Sequence, residues 1–175
     1  MLSIQTNRFE LFNTDDDGVE RNLGIVTVQL PSFEVPTNEY SGSGVGGTLN
    51  IPTIGVLNAM TVTLSFPKIS KDNIRYFKLG KTTSFDLRAD TTGTDPDTRG
   101  VVHIAERWSI QGPVTKCDPG KIEQKATGDA SVEIQVFYAI HWIDGEQVLE
   151  WDALNTKFVV NGEDLLEETR RNIGL

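Results

Sequence analysis

A period of two governs the stretch from Ala130 to Ala153. The even positions Val132, Ile134, Val136, Tyr138, Ile140 and Trp142 are apolar, with Ser131, Glu133, Gln135, Phe137, Ala139 and His141 between them. Successive side chains of a strand point to opposite faces, so the pattern predicts a half-buried strand over 130–142. Asp144-Gly145 follows, the dipeptide of a tight hairpin turn. Beyond it Gln147, Leu149, Trp151 and Ala153 alternate with Glu146, Val148, Glu150 and Asp152. One face of this second strand is largely apolar and the other mostly acidic.

The same signature recurs upstream. Met60, Val62, Leu64 and Phe66 alternate with Ala59, Thr61, Thr63 and Ser65, a face that is small, polar and uncharged. Val102, Ile104, Trp108 and Ile110 alternate with His103, Arg107 and Ser109, while Glu106 interrupts the apolar face. Shorter runs at 8–12, 24–30, 84–89 and 157–160 also read as strands. About eight strands are enough for a small sandwich or barrel. Two stretches look helical: Lys71–Leu79, capped by Ser70 and ended by Gly80, and Glu163–Asn172, with acids in its first turn and Arg170 and Arg171 in its last. No linker or repeat divides the 175 residues, so the expectation is one mainly β domain, 1–175, with one or two short helices.

Charge narrows the partners. The chain carries a formal −9 and shows no basic face of the kind that attracts nucleic-acid phosphates. No apolar run approaches the roughly 20 residues that span a bilayer, and the N-terminus shows no secretion signal. The single cysteine, Cys117, fits a reducing compartment. As a nucleophile it would need His103 or His141 as base, and nothing in the sequence marks it as activated.

Four motifs tempt a chemical reading. Gly42, Gly44 and Gly47 match the dinucleotide-loop pattern G-x-G-x-x-G, with Gly46 between them. That loop must follow a buried strand and open a helix, yet Pro36-Thr37-Asn38-Glu39 precedes it and Pro52 follows. The segment 36–52 reads instead as a flexible, extended arm. Gly80-Lys81-Thr82 resembles the end of a phosphate loop, but the first glycine of that motif falls on Arg75. Asp15-Asp16-Asp17-Gly18 could start a calcium loop, but the twelfth position is Val26, so a solvated turn is the better reading. Glu146, Glu150 and Asp152 share a strand face without an aromatic-lined cleft, which argues against hydrolysis. Trp108, Trp142 and Trp151 fall on apolar faces and are expected in the core. No catalytic, cofactor or metal residues are assigned.

The C-terminal third reads VLEWDALNTKFVVNGEDLLEETRRNIGL, from Val148 to Leu175. It resembles the end of the major tail tube proteins of contractile-tailed phages and R-type bacteriocins. The matching residues are Asp152, Leu154, Asn155, Val160, Asn161, Gly162, Asp164, Leu165, Arg170, Arg171, Gly174 and Leu175. Glu39-Tyr40-Ser41-Gly42-Ser43-Gly44, with the strand pattern over 56–66, and the hairpin over 144–152 match as well. The likeness covers most of the chain after about residue 20, and the polar stretch 89–100 departs from it.

The resemblance implies a β-barrel or sandwich that assembles as hexameric rings stacked into a hollow tube. A contractile sheath would surround the tube, a baseplate or initiator would nucleate it, and a tape-measure protein or DNA would occupy the bore without specific binding. The place of action would be the virion tail, after synthesis in the bacterial cytoplasm, with no membrane anchor. Glu39, Tyr40, Gly42, Gly44, Gly46 and Gly47 would then form an arm gripping a neighbouring subunit or ring. Thr61, Thr63, Ser65, Glu146, Glu150 and Asp152 would be candidate lumen positions, making the bore acidic and slippery. Two alternatives stay open: the same tube in a bacteriocin or type VI-like secretion device, or a β-sandwich binding module.

Overall fold

The period-two runs become strands that share one core. The computed structural model describes residues 2–14, 19–22, 24–25, 27–42, 44, 46–71, 73–124 and 127–175. The Asp15–Gly18 segment, the reference position Val26, and Ser43 and Val45 of the glycine segment lie outside the described residues. In chain order the strands are β1 (Leu2–Asn13), β2 (Glu20–Asn22), β3 (Thr27–Gln29), β4 (Thr37–Tyr40), β5 (Leu49–Pro52), β6 (Thr61–Phe66) and β7 (Thr82–Thr94). They continue with β8 (Val101–Asp118), β9 (Ala130–Gln135), β10 (Tyr138–Ile143), β11 (Glu146–Asp152), β12 (Lys157–Val160) and β13 (Glu163–Asp164). One helix, α1 (Glu167–Ile173), closes the chain. The mainly β class is as expected.

Two layers arise because β8 serves both. Its first part pairs with β7 and β10, within the order β13-β12-β11-β10-β8-β7-β1-β2. Its last residues pair with β9, which pairs with β6 and through it with β3. The inner faces meet in a core of Leu11, Val62, Leu64, Phe85, Ile110, Val132 and Ile134, all 0–1% exposed. Burying an aliphatic or aromatic side chain of this kind contributes about 1.5–3 kcal/mol.

The predicted strand over 130–142 is two strands, a correction with a clear cause. At Val136 and Phe137 the chain turns a corner: Val136 N–H donates to the Met60 carbonyl and Phe137 N–H to that of Gln111. The extra residue reverses the alternation. Before the corner Val132, Ile134 and Val136 point inward; after it Ala139 is fully buried and His141 stacks on Trp108 at 4.0 Å. Trp142 therefore lies outside the core cluster, under the Arg107 guanidinium at 4.7 Å. Trp151 is buried as expected, and Trp108 packs half-buried against the core.

Both helical readings shorten. Only Ile74–Phe77 forms a 3-10 turn. Ser70 and Asn73 brace its start reciprocally, and Tyr76 is anchored by its hydroxyl donating to buried Asn13. Gly80 N–H then bonds to the Val114 carbonyl, drawing the chain away before a longer helix can form. At the tail, Glu163 and Asp164 are in β13, pinned to β12 by the Asn161-Gly162 turn with both φ positive, so α1 begins at Glu167.

The corner has a steric signature. A Cβ on Gly112, where β8 passes between layers, would sit 1.7 Å from the Gln135 carbonyl oxygen. Gly112→Ala is expected to cost about 3 kcal/mol or more, through forced backbone displacement. Urea unfolding would read this against Gly46→Ala, whose Cβ meets nothing and which should leave the midpoint unchanged.

Candidate assembly surfaces

The glycine segment forms the end of a ribbon that stands off the core. Among the described residues β4 and β5 pair only with each other, in the register Thr37–Pro52, Asn38–Ile51, Glu39–Asn50 and Tyr40–Leu49. All eight residues are exposed. The ribbon is continued toward the body by Thr53 N–H to Pro36 O and Asn58 N–H to Glu34 O, both 2.8 Å, and by Asn38 Nδ2 to Thr53 Oγ1 at 3.0 Å. Gly42, Gly44, Gly46 and Gly47 lie in the loop joining the strands, exposed, with Gly44 at φ +95°. No strand leads into this loop from a buried sheet and no helix leaves it, so it has neither element of a dinucleotide site.

The six candidate lumen residues divide between the layers. Thr61, Thr63 and Ser65 lie on the outer face of β6, opposite Gln135, Glu133 and Ser131 of β9. Thr27 and Gln29 of β3 extend this row on the other side. The one ion pair described on it joins Lys116 and Glu133 at 2.7 Å. Glu146, Glu150 and Asp152 lie on β11 in the larger sheet. Glu150 accepts from Lys157 Nζ at 2.8 Å and from Gln147 Nε2 at 2.9 Å, and it raises the Lys157 pKa. Asp152 accepts from the Leu154 and Asn155 backbone and from Asn155 Nδ2, closing the turn after β11. Glu146 is exposed at the hairpin end, and the register shift at Val148 puts it on the opposite face from Glu150 and Asp152. The three therefore do not share the face the sequence suggests, and Gln147 takes the place of Glu146 beside Glu150. The structure does not bring the two triplets together.

A charged lattice on the outer face of the larger sheet escaped sequence reasoning. Asp86, 2% exposed, accepts from Arg107 at 2.6 Å and pairs with Arg88 at 3.5 Å. Arg88 lies over Phe12 at 4.6 Å as Arg107 lies over Trp142. Glu10 takes Arg8 and Arg21 beside them. Cross-strand register creates these neighbours, and register is what a single sequence does not print. Cys117 donates to the Tyr76 carbonyl, and burial pushes its thiol pKa up, away from a nucleophilic thiolate. His103 pairs with Asp90 toward the far end of β8, and His141 is stacked on Trp108, nine positions along β8 from Cys117. Among the described residues no three His, Cys, Asp or Glu side chains gather as a metal site, and no helix is long and apolar enough to cross a membrane.

The C-terminal motif folds into a clasp. Asp164 Oδ1 accepts from Leu166 N–H at 3.0 Å, and its Oδ2 from Arg170 Nη2 at 2.5 Å. Arg170 Nη1 also donates to the Thr156 carbonyl. Gly174, at φ +84°, ends α1 in the left-handed conformation. Asp152, Asn155, Asp164 and Arg170 thus hold the tail together, and Leu165 is left about half exposed.

A family model described as phage tail tube protein FII matches residues 7–174. The chain belongs to that family. The tail tube protein of Escherichia phage P2 is 25% identical over 171 residues, covering 96% of this chain and 97% of that one. Among solved structures, the fold is shared with a chain of the sheath/tube terminator of an extracellular contractile injection system, at a TM-score of 0.53 and 12% identity over 79% of this chain and 96% of that one. A chain of the sheath–tube complex of that system gives 0.51 and 15%, over 79% and 90%. This is a tail tube protein, a structural component of the virion tail.

In this tail tube protein the clasp should register in stability. Arg170 holds the Asp164 carboxyl below its ordinary pKa of 3.8. A depressed carboxylate pKa gives stability that is complete above the unfolded value and is lost as pH falls through the folded one. Asp164→Asn should cost about 1 kcal/mol at pH 7, and the gap to wild type should close below the folded pKa. Urea midpoints measured at pH 7 and down to pH 2.5 would check it; a constant gap would contradict this account.

Proposed function

We propose that residues 1–175 act as one tail-tube domain that assembles as rings of six, stacked into a hollow conduit for DNA passage or envelope penetration. A contractile sheath lies outside, a baseplate or initiator starts the tube, and tape-measure protein or DNA fills the bore. The role is mechanical, with no catalytic step and no cofactor. The observation that carries this reading, beside the family, is the β4–β5 ribbon. A two-stranded ribbon with no packing partner is marginal in water, and here all eight strand residues are exposed. Such an element fits an arm, formed by Glu39, Tyr40 and the glycines 42, 44, 46 and 47, that gains its partner in the tube.

The bore is assigned to the Thr61, Thr63 and Ser65 row; Glu146, Glu150 and Asp152 lie in the other layer and add to the acidity of the ring rather than to that face. Short hydroxyl side chains offer passing phosphates no cation to hold. Six copies at −9 put a formal charge of about −54 on a ring. Glu150 is paired with Lys157, so it adds less net negative charge, whereas Asp152, bound by neutral N–H groups, keeps its own.

Electron microscopy of concentrated protein, with a tube initiator added, should show hollow tubes; persistent monomers would overturn the proposal. On tubes of a Thr63→Cys, Cys117→Ser variant, a small maleimide should label residue 63 while a maleimide on a 5 kDa polymer, roughly too bulky for a bore, should be excluded. Equal labelling by both would place this face outside.

A further inference from the structure

The ribbon is amphipathic. Tyr40, Leu49 and Ile51 share one face with Asn38, while Thr37, Glu39 and Asn50 occupy the other. The three apolar side chains are each about half exposed. At the root of the ribbon lies a groove of about 180 Å³, bounded by Val35, Ile54, Val56, Phe158 and Leu165 and floored by buried Leu166. Its wall is braced. Phe158 stacks on Phe33 at 5.9 Å and meets Trp151 edge-on, and Gly55, at φ +91°, backs onto Thr169, whose Cγ2 would lie 3.2 Å from an added Cβ. An enclosed cavity of about 150 Å³ accepts a benzene ring, so this groove, though open on one side, has room for one leucine or tyrosine side chain.

We infer that the groove receives the apolar face of the β4–β5 ribbon of a second copy, with Leu49 or Tyr40 as the inserted side chain. The inference rests on the tube reading above and names the acceptor that reading lacks. The ribbon cannot fill the groove of its own chain. The Thr53–Pro36 and Asn58–Glu34 bonds extend its ladder into the root, and Pro52 and Ile54 to Leu57 themselves line the groove. Donor and acceptor at different places on one chain make a head-to-tail contact, which closes into rings or propagates as a filament. Both surfaces are apolar, so their union removes from water two patches that otherwise stay exposed.

The test uses full-length chain carrying Cys117→Ser. In assembled tubes, Leu49→Cys with Leu165→Cys on the same chain, treated with a short bis-maleimide, should give a ladder of covalent oligomers, and either substitution alone no ladder. Leu165→Asp and Leu49→Asp should each lower the assembled fraction at least tenfold, while Leu79→Asp, at an exposed leucine elsewhere, should not. Tubes that form normally but yield no ladder, and that tolerate Leu165→Asp, overturn the pairing and leave the tube reading intact. If wild type forms no tubes, the tube reading fails. The pairing is then read in concentrated soluble protein, where cross-linking upholds it and its absence overturns it.

Discussion

The fold depends on one close approach, the backbone of Gly112 against the carbonyl of Gln135. β8 can belong to both layers only if it bends where the β9–β10 chain also bends, and the two bends must nest. A side chain at the crossing would force them apart. The contact sets the angle between the layers, and the inward-pointing rows of β6, β9, β7 and β8 meet because of it. Phe137 N–H, bonded to Gln111 O, locks the crossing from the other strand. The two sheets are in this sense one sheet folded at a shared crease.

Much of this was legible in the alternation. The runs at 8–12, 84–89, 102–110 and 157–160 lie inside β1, β7, β8 and β12, and Asp144-Gly145 makes its turn with positive φ at each residue. The corner at Val136 was not legible, since the apolar pattern runs through it. Val136, Tyr138, Ile140 and Trp142 continue the even series in sequence while the backbone exchanges their faces. Trp142 shows the cost of reading period alone: an aromatic ring can be covered by a guanidinium as well as by a core. The two helical readings shortened for another reason. Tertiary bonds at Tyr76, Gly80 and Asp164 claimed residues that local propensity would have left to a helix.

The candidate surfaces divide the same way. Thr61, Thr63 and Ser65 form one face because strand parity alone dictates it. The partners of Glu150 and Asp152 come from a neighbouring strand and a turn, which composition does not reveal. The family-like residues at the C-terminus act largely on the protein itself: Asp152 and Asp164 bind backbone N–H groups, and Arg170 ties α1 to the turn before β12. Carboxylates held this way are architectural.

The ribbon's detachment from its own core has an evolutionary consequence. The strand residues of the ribbon are all exposed, so on the proposed docking mutations there would be screened by what they touch in another molecule. Such a segment can diverge quickly while the crease and the clasp stay fixed. On that docking, a lineage could change how its subunits recognise one another without having to refold them.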